Sequence, residues 1–173
     1  TGPGRAPPRQ AVAFTLMAPP ARRAAPPAPA RTSAGVDFDF VDLREHPLPQ
    51  CDGGACYSDP AVVEFKAKLI EADGYLIATP IYNFDANSAL KNAVELTGKD
   101  VWTEKVVGFL AAAGGRGSYM SLSGITLSLM FDFRTFCLPR FVYVTGEDFG
   151  EDGELSNAEV SERMDEVASE LVR

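Results

Sequence analysis

From residue 36 onward the chain switches between two hydrophobic periods. Val36-Asp-Phe-Asp-Phe-Val-Asp42 alternates apolar and polar residues, which predicts a strand. A loop containing Leu48, Pro49, Gly53 and Gly54 follows, and then a helix opened by Asp59 as N-cap and Pro60 at the first helical position. Val62, Phe65, Leu69 and Ile70 recur at helical spacing on its inner face. Gly74-Tyr-Leu-Ile-Ala-Thr79 predicts a short buried strand stopped by Pro80. Asn87 or Ser88 then caps a helix that runs to about Leu96 and closes at Gly98. Lys105-Val-Val-Gly-Phe-Leu-Ala-Ala-Ala113 is the most continuous apolar strand and ends at Gly114-Gly115. A helix from Tyr119 to Phe133 and a strand from Arg140 to Thr145 come next. Ser156 and Glu159 form a capping box ahead of a last helix, whose stripe is Val160, Met164, Val167 and Leu171.

Strands and helices thus alternate, the pattern of an α/β domain with helices on both faces of a parallel sheet. In open sheets of this kind ligands bind beyond the carboxyl ends of the strands. Two loops occupy such ends: Pro80-Ile-Tyr-Asn-Phe84 and Gly114-Gly-Arg-Gly-Ser118.

Composition changes the picture at one end of the chain. Residues 1–36 hold five arginines, eight of the 13 prolines and no acid, so the remainder carries a strong acidic excess. Internal prolines break helices, and residues 1–35 are expected to form an irregular segment ahead of a domain over 36–173. The net charge of −8 argues against nucleic acid as the main partner. No apolar run reaches the roughly 18–20 residues that a membrane-spanning helix needs. Cys51, Cys56 and Cys137 read as free thiols of a reducing cytosol, with no metal site expected. A single histidine, His46, makes a Ser-His-Asp or Cys-His hydrolase improbable.

The two loops carry the candidate chemistry. Pro80 fixes the backbone, leaving the amides of Tyr82, Asn83 and Phe84 free to point at a ligand. Tyr82 supplies a flat apolar face with a polar tip, and Asn83 both donates and accepts hydrogen bonds. That set suits a planar heteroaromatic ring, and it equally suits an ordinary turn between strand and helix. Gly114, Gly115 and Gly117 let a ligand approach the backbone, while Arg116 and a following helix start favour anions. The alternative is a tight turn that needs glycine for its dihedral angles.

Asp73-Gly-Tyr-Leu-Ile-Ala-Thr-Pro-Ile-Tyr-Asn-Phe84, followed by Ala89-Leu-Lys-Asn-Ala93, resembles the NAD(P)H-dependent FMN reductases of the flavodoxin-like superfamily. The resemblance covers Val36 to Arg173 and implies a flavodoxin-like three-layer sandwich around a parallel sheet. It implies that Pro80, Ile81, Tyr82, Asn83 and Phe84 hold the isoalloxazine ring of FMN, with Gly114, Gly115 and Arg116 lining it. It further implies hydride transfer from NAD(P)H to the flavin, then electron transfer to a quinone, azo compound, metal ion or free flavin. Lys91 and Asn92 are expected to fix the loop and helix rather than touch substrate.

The family opens with a strand, a phosphate loop rich in Gly, Ser and Arg, and a helix. Here Ala11-Val-Ala-Phe-Thr-Leu-Met17 can supply the strand, but Ala18-Pro-Pro-Ala-Arg-Arg23 lacks Gly and Ser. Its two prolines delete amides that a phosphate needs, leaving Arg22 and Arg23. A transit peptide leaves no room for the strand, loop and helix before Val36, so replacement of that stretch is the preferred reading. Two other functional readings stand beside the reductase: a flavin-free interaction module, which the abnormal N-terminal stretch favours, and a flavodoxin-type electron carrier, which the acidic balance supports and the Pro80–Asn83 loop disfavours. The Tyr119–Phe133 segment carries apolar residues around nearly its whole circumference, which predicts a homodimer or homotetramer, as the family resemblance also implies.

Overall fold

The structure, a computed structural model, describes residues 9–15 and 36–171. In chain order its elements are β1 (Arg9–Thr15), β2 (Val36–Asp42), α1 (Pro60–Ile70), β3 (Gly74–Tyr82), β4 (Asp85–Ala86) and α2 (Ser88–Thr97). They continue with the single turn α3 (Lys99–Trp102), β5 (Val106–Ala112), α4 (Ser123–Phe133), β6 (Phe136–Cys137), β7 (Val142–Val144) and α5 (Ala158–Leu171). The sheet order is β2-β1-β3-β5, with β6 and β7 both on the outer edge of β5. All these pairs are parallel. Among the described strands only β4 runs antiparallel, folding back on the end of β3. This is the flavodoxin-like arrangement expected from the sequence.

Residues 1–35 are not irregular throughout. Arg9–Thr15 forms a central strand, paired to β2 from Arg9↔Val36 to Thr15↔Asp42 and to β3 from Ala11↔Gly74 to Thr15↔Ala78. The prolines that dominate the average composition flank this stretch at Pro8 and Pro19 but do not enter it, so its backbone can pair on both sides. The expected phosphate segment, Ala18 to Arg23, lies outside the described residues, as do residues 24–35.

Alternation along the strands builds the layers. Tyr75, Ile77 and Ile81 of β3 and Val107, Phe109 and Ala111 of β5 join Phe65, Leu69, Leu90, Val94, Trp102, Ile125 and Leu129 in one core. On the opposite face α5 closes over the sheet, where a Cβ at Gly108 would come within 2.9 Å of Val167 and one at Gly74 within 3.4 Å of Leu171. Beneath the first core, the Tyr75 hydroxyl donates to the carbonyls of Leu69 and Val101, both at 3.0 Å, while its ring packs on Trp102. Burial of this phenol pushes its pKa far up.

Several boundaries move from their sequence-based positions. Strand β3 continues past Pro80 to Tyr82 because β4 returns along it. Pro80 stays in register with Ala112 of β5, next to the point where β4 folds back on Ile81 and Tyr82. The strand expected over Arg140–Thr145 shortens to Val142–Val144, and a further two-residue strand, Phe136–Cys137, precedes it on the same edge of β5. The helix expected from Tyr119 begins at Ser123. Asn157, not Ser156, caps α5, accepting from the Glu159 amide at 3.1 Å. Ile70 is exposed rather than on the inner face of α1.

Candidate functional site

Because β3 and β5 are neighbours with Pro80 opposite Ala112, their two following loops emerge side by side at the carboxyl end of the sheet. Between β1 and β3 the connections of the order β2-β1-β3-β5 diverge, which is the switch point of such a sheet. The two loops singled out from the sequence are therefore neighbours in the fold.

The first loop is a two-residue hairpin. Tyr82 pairs with Asp85, leaving Asn83 and Phe84 as the turn, at φ of 51° and 63°. Positive φ at both central positions is the type I′ geometry, which matches the twist of the strands it joins. Asn tolerates that region, but a large aromatic residue pays a steric cost there. Pro80 and Ile81 are buried and form the base, whereas Tyr82 and Phe84 are about half exposed at the tip. The hairpin is pinned across its base by buried Asn87. Its Nδ2 donates to Thr79 Oγ1 at 3.2 Å, and its Oδ1 accepts from the Leu90 amide at 2.8 Å. One side chain thus caps α2 and ties the strand entering the turn to the chain leaving it. Of the two caps the sequence offers, Asn87 and Ser88, the structure uses Asn87, and its bond to Thr79 leaves no local signal.

The second loop, Gly114 to Ser118, is exposed apart from the half-buried Ser118. Gly114, Gly115 and Gly117 are not at positive φ, and a Cβ at any of them would meet nothing within 4 Å. Neither backbone geometry nor crowding within the fold explains these glycines. The loop is nevertheless held firmly. Tyr143 Oη donates to the Gly115 carbonyl, and Arg116 Nη2 meets Asp148 Oδ1 at 2.9 Å. Arg116 also approaches Glu147 at 3.6 Å, so its guanidinium faces the loop after β7.

Asp148 is the hub of that support and was not found by sequence reasoning. It is 1% exposed and accepts from the Thr145 amide at 2.8 Å, Asn157 Nδ2 at 2.8 Å and Arg116. Burial alone would raise its pKa, but these hydrogen bonds outweigh it and hold the carboxyl at about 2. The available signal was its place after the last strand, in a third loop at the same end of the sheet.

Asn92 behaves as expected. It points away from the hairpin to the loop before α1, accepting from the Cys51 amide at 2.8 Å and donating to the Pro49 carbonyl at 2.9 Å. Lys91 pairs with Glu95 on the same helix.

A flat ring fits this arrangement. The hairpin offers two exposed aromatic side chains and the amide of Asn83, and the glycine loop beside it leaves room that its own fold does not need. The profile of the family described as NADPH-dependent FMN reductase matches residues 20–149. The NAD(P)H-dependent FAD/FMN reductase of Geobacillus thermodenitrificans is 33% identical over 79% of this chain and 75% of its own length. The NADPH:quinone oxidoreductase of Arabidopsis thaliana is 28% identical over 79% of this chain and 74% of its own. Among solved structures, an oxidoreductase from Corynebacterium diphtheriae superposes with a TM-score of 0.72 at 21% identity, over 96% of both chains.

Proposed function

The chain belongs to the family of NADPH-dependent FMN reductases and is an FMN-dependent NAD(P)H oxidoreductase, and from that premise we propose that the flavin ring lies between the Tyr82–Phe84 hairpin and the Gly114–Arg116 loop. Bound FMN supplies the hydride and electron chemistry between nicotinamide and acceptor. The residues of the chain bind, orient and exclude water. Tyr82 and Phe84 cover an aromatic face, Asn83 and the turn amides meet polar ring edges, and the open glycines admit the ring against the backbone. Asp148, through Arg116, keeps the second loop at its distance from the first. The observation that carries this reading is the pairing of a strained aromatic turn with three glycines that the fold itself does not require.

A quinone is the acceptor we favour. It is planar and apolar on its faces, like the exposed rings it would meet, and the Arabidopsis relative is named a quinone oxidoreductase. We place the enzyme in the cytosol, a reducing compartment that fits three free cysteines, Cys51, Cys56 and Cys137. We further propose a homodimer formed through α4 and β6, where Leu127, Met130, Phe131 and Phe136 are all exposed, Phe131 to 82%. The decisive assay supplies FMN-loaded protein with NADPH and, in turn, a benzoquinone, an azo dye, a ferric chelate and free FMN. The benzoquinone should give the fastest NADPH oxidation. No stimulation by the quinone, with turnover of another acceptor, would remove the quinone assignment while leaving the flavin site intact.

A further inference from the structure

The loop between β2 and α1 contains two thiols that the flavin chemistry does not use. Cys51 Sγ and Cys56 Sγ lie 4.0 Å apart. The separation is built into the loop. The Asp52 carboxylate accepts from the amides of Gly54 at 2.8 Å and Cys56 at 3.1 Å, winding the chain into the single 3-10 turn Ala55–Ser58. The Asp52 amide in turn points at Cys56 Sγ at 3.4 Å. A disulfide brings these two sulfurs from 4.0 Å to about 2.05 Å.

The two thiols differ in a useful way. Cys51 is half-buried and its sulfur meets the exposed Tyr57 hydroxyl at 3.6 Å. The hydrogen bond with Cys51 pushes the Tyr57 phenol up, so the hydroxyl keeps its proton beside that sulfur. Cys56 is 6% exposed and packs among Val62, Leu96 and Leu48. Burial, then the neighbouring Asp52 carboxylate, push its thiol up and keep it protonated. One thiol is open to a reagent; the other waits behind it. Cys137 provides an internal contrast, alone in the described structure and raised by burial to about 11.

We propose that Cys51 and Cys56 form a hydroperoxide-responsive dithiol that closes to an intrachain disulfide on the loop clamped to α2. Cys51 sulfur attacks one peroxide oxygen, the O–O bond breaks, and the departing hydroxide leaves as water with the thiol proton, giving a sulfenic acid. Cys56 sulfur then attacks Cys51 sulfur, the S–O bond breaks, and a second water carries off the Cys56 proton. Two thiols lose two electrons and one peroxide is reduced; a dithiol reductant reverses the change. Since Asn92 holds both the Cys51 amide and the Pro49 carbonyl, the cross-link forms directly against the helix that follows the ring hairpin.

The test uses the full chain with its flavin, reduced at its thiols, without NADPH, and treated with equimolar hydrogen peroxide. Alkylation under denaturing conditions should show the three free thiols falling to one, with Cys51 and Cys56 cross-linked within one chain and Cys137 still alkylated. Cys56→Ser should stop at a Cys51 sulfenic acid that a cyclic 1,3-diketone captures, and Cys51→Ser should give no capture. Three thiols surviving, a cross-link that includes Cys137 or joins two chains, or a Cys56→Ser protein left unmodified at Cys51 would each overturn the proposal. NADPH oxidation by the reduced protein is a separate reading, so failure of the flavin site would leave this result untouched.

Discussion

Phe84 stands at φ 63° with 56% of its surface exposed, a conformation that costs a side chain roughly 1–2 kcal/mol and that its own burial does little to offset. Strain kept at an exposed tip points to a ligand that uses the tip. If Tyr82 and Asn83 meet the flavin ring, Tyr82→Ala and Asn83→Ala should each weaken FMN binding by about ten- to hundredfold, or ~1–3 kcal/mol, in a fluorescence titration. Asn83→Gly separates side chain from turn, since glycine keeps the positive φ and loses the amide group. Equal affinity in all three variants would remove the hairpin from the site. Gly115 gives the converse test. At φ −170° and ψ 171°, with nothing within 4 Å of a built Cβ, alanine fits the free protein. Gly115→Ala should therefore stay within about 0.5 kcal/mol of wild-type stability while losing FMN affinity, because only a bound ring would meet the new methyl group.

Between elements, Asp148 joins the loop after β7 to the loop after β5 and to the start of α5. Its pKa falls from an ordinary 3.8 to about 2, so its contribution is fully present above pH 3.8 and is lost as pH falls through 2. The shift corresponds to about 2 kcal/mol. Asp148→Asn should lower stability at neutral pH by roughly 1–3 kcal/mol, and the gap from wild type should narrow between about pH 4 and pH 2 in denaturant titrations. A gap constant across that range would mean that the carboxylate charge contributes nothing. Asp148 also shows why this part of the site was not readable in advance. Its Arg116 partner lies 32 residues away, and no local pattern records such a contact. Period and punctuation did reveal the elements themselves: β2 spans Val36–Asp42 as its alternation predicts, and Asp59 caps α1 by accepting from Ala61 at 2.8 Å. Sequence reasoning failed where tertiary ties overrode local preference. Residues 119–122 look helical but stay in turns, next to a glycine loop held by Tyr143 and Asp148, and the Tyr119 ring packs on Phe141 at 4.9 Å. Gly108 interrupts an apolar strand with no local signal of its role, which is spatial: a Cβ there would come within 2.9 Å of Val167 on α5.

At the scale of the whole molecule two surfaces remain to be matched with partners. Phe131, 82% exposed on α4, stands with Leu127, Met130 and nearby Phe136 on an apolar area that a second copy would cover. Phe131→Glu should turn a dimer into a monomer by light scattering at micromolar concentration, and a wild-type monomer under the same conditions would defeat the assembly. The other surface is the switch point itself. Thr15 of β1 pairs with Asp42 on one side and Ala78 on the other, at the carboxyl end of the sheet. The next polar groups by sequence are few: Pro19 and Pro20 have no N–H, Ala18 and Ala21 have no polar side chain, and Arg22 and Arg23 follow. A phosphate with nearly two negative charges is ordinarily held by several amides and hydroxyls, each charge-assisted bond contributing ~1.5–3 kcal/mol. With two amides and every hydroxyl missing from residues 18–23, the ring loops would carry most of the affinity, and FMN should barely outbind riboflavin in parallel fluorescence titrations. A large preference for FMN, abolished by Arg22→Ala with Arg23→Ala, would instead show that two guanidiniums do the work of a phosphate loop.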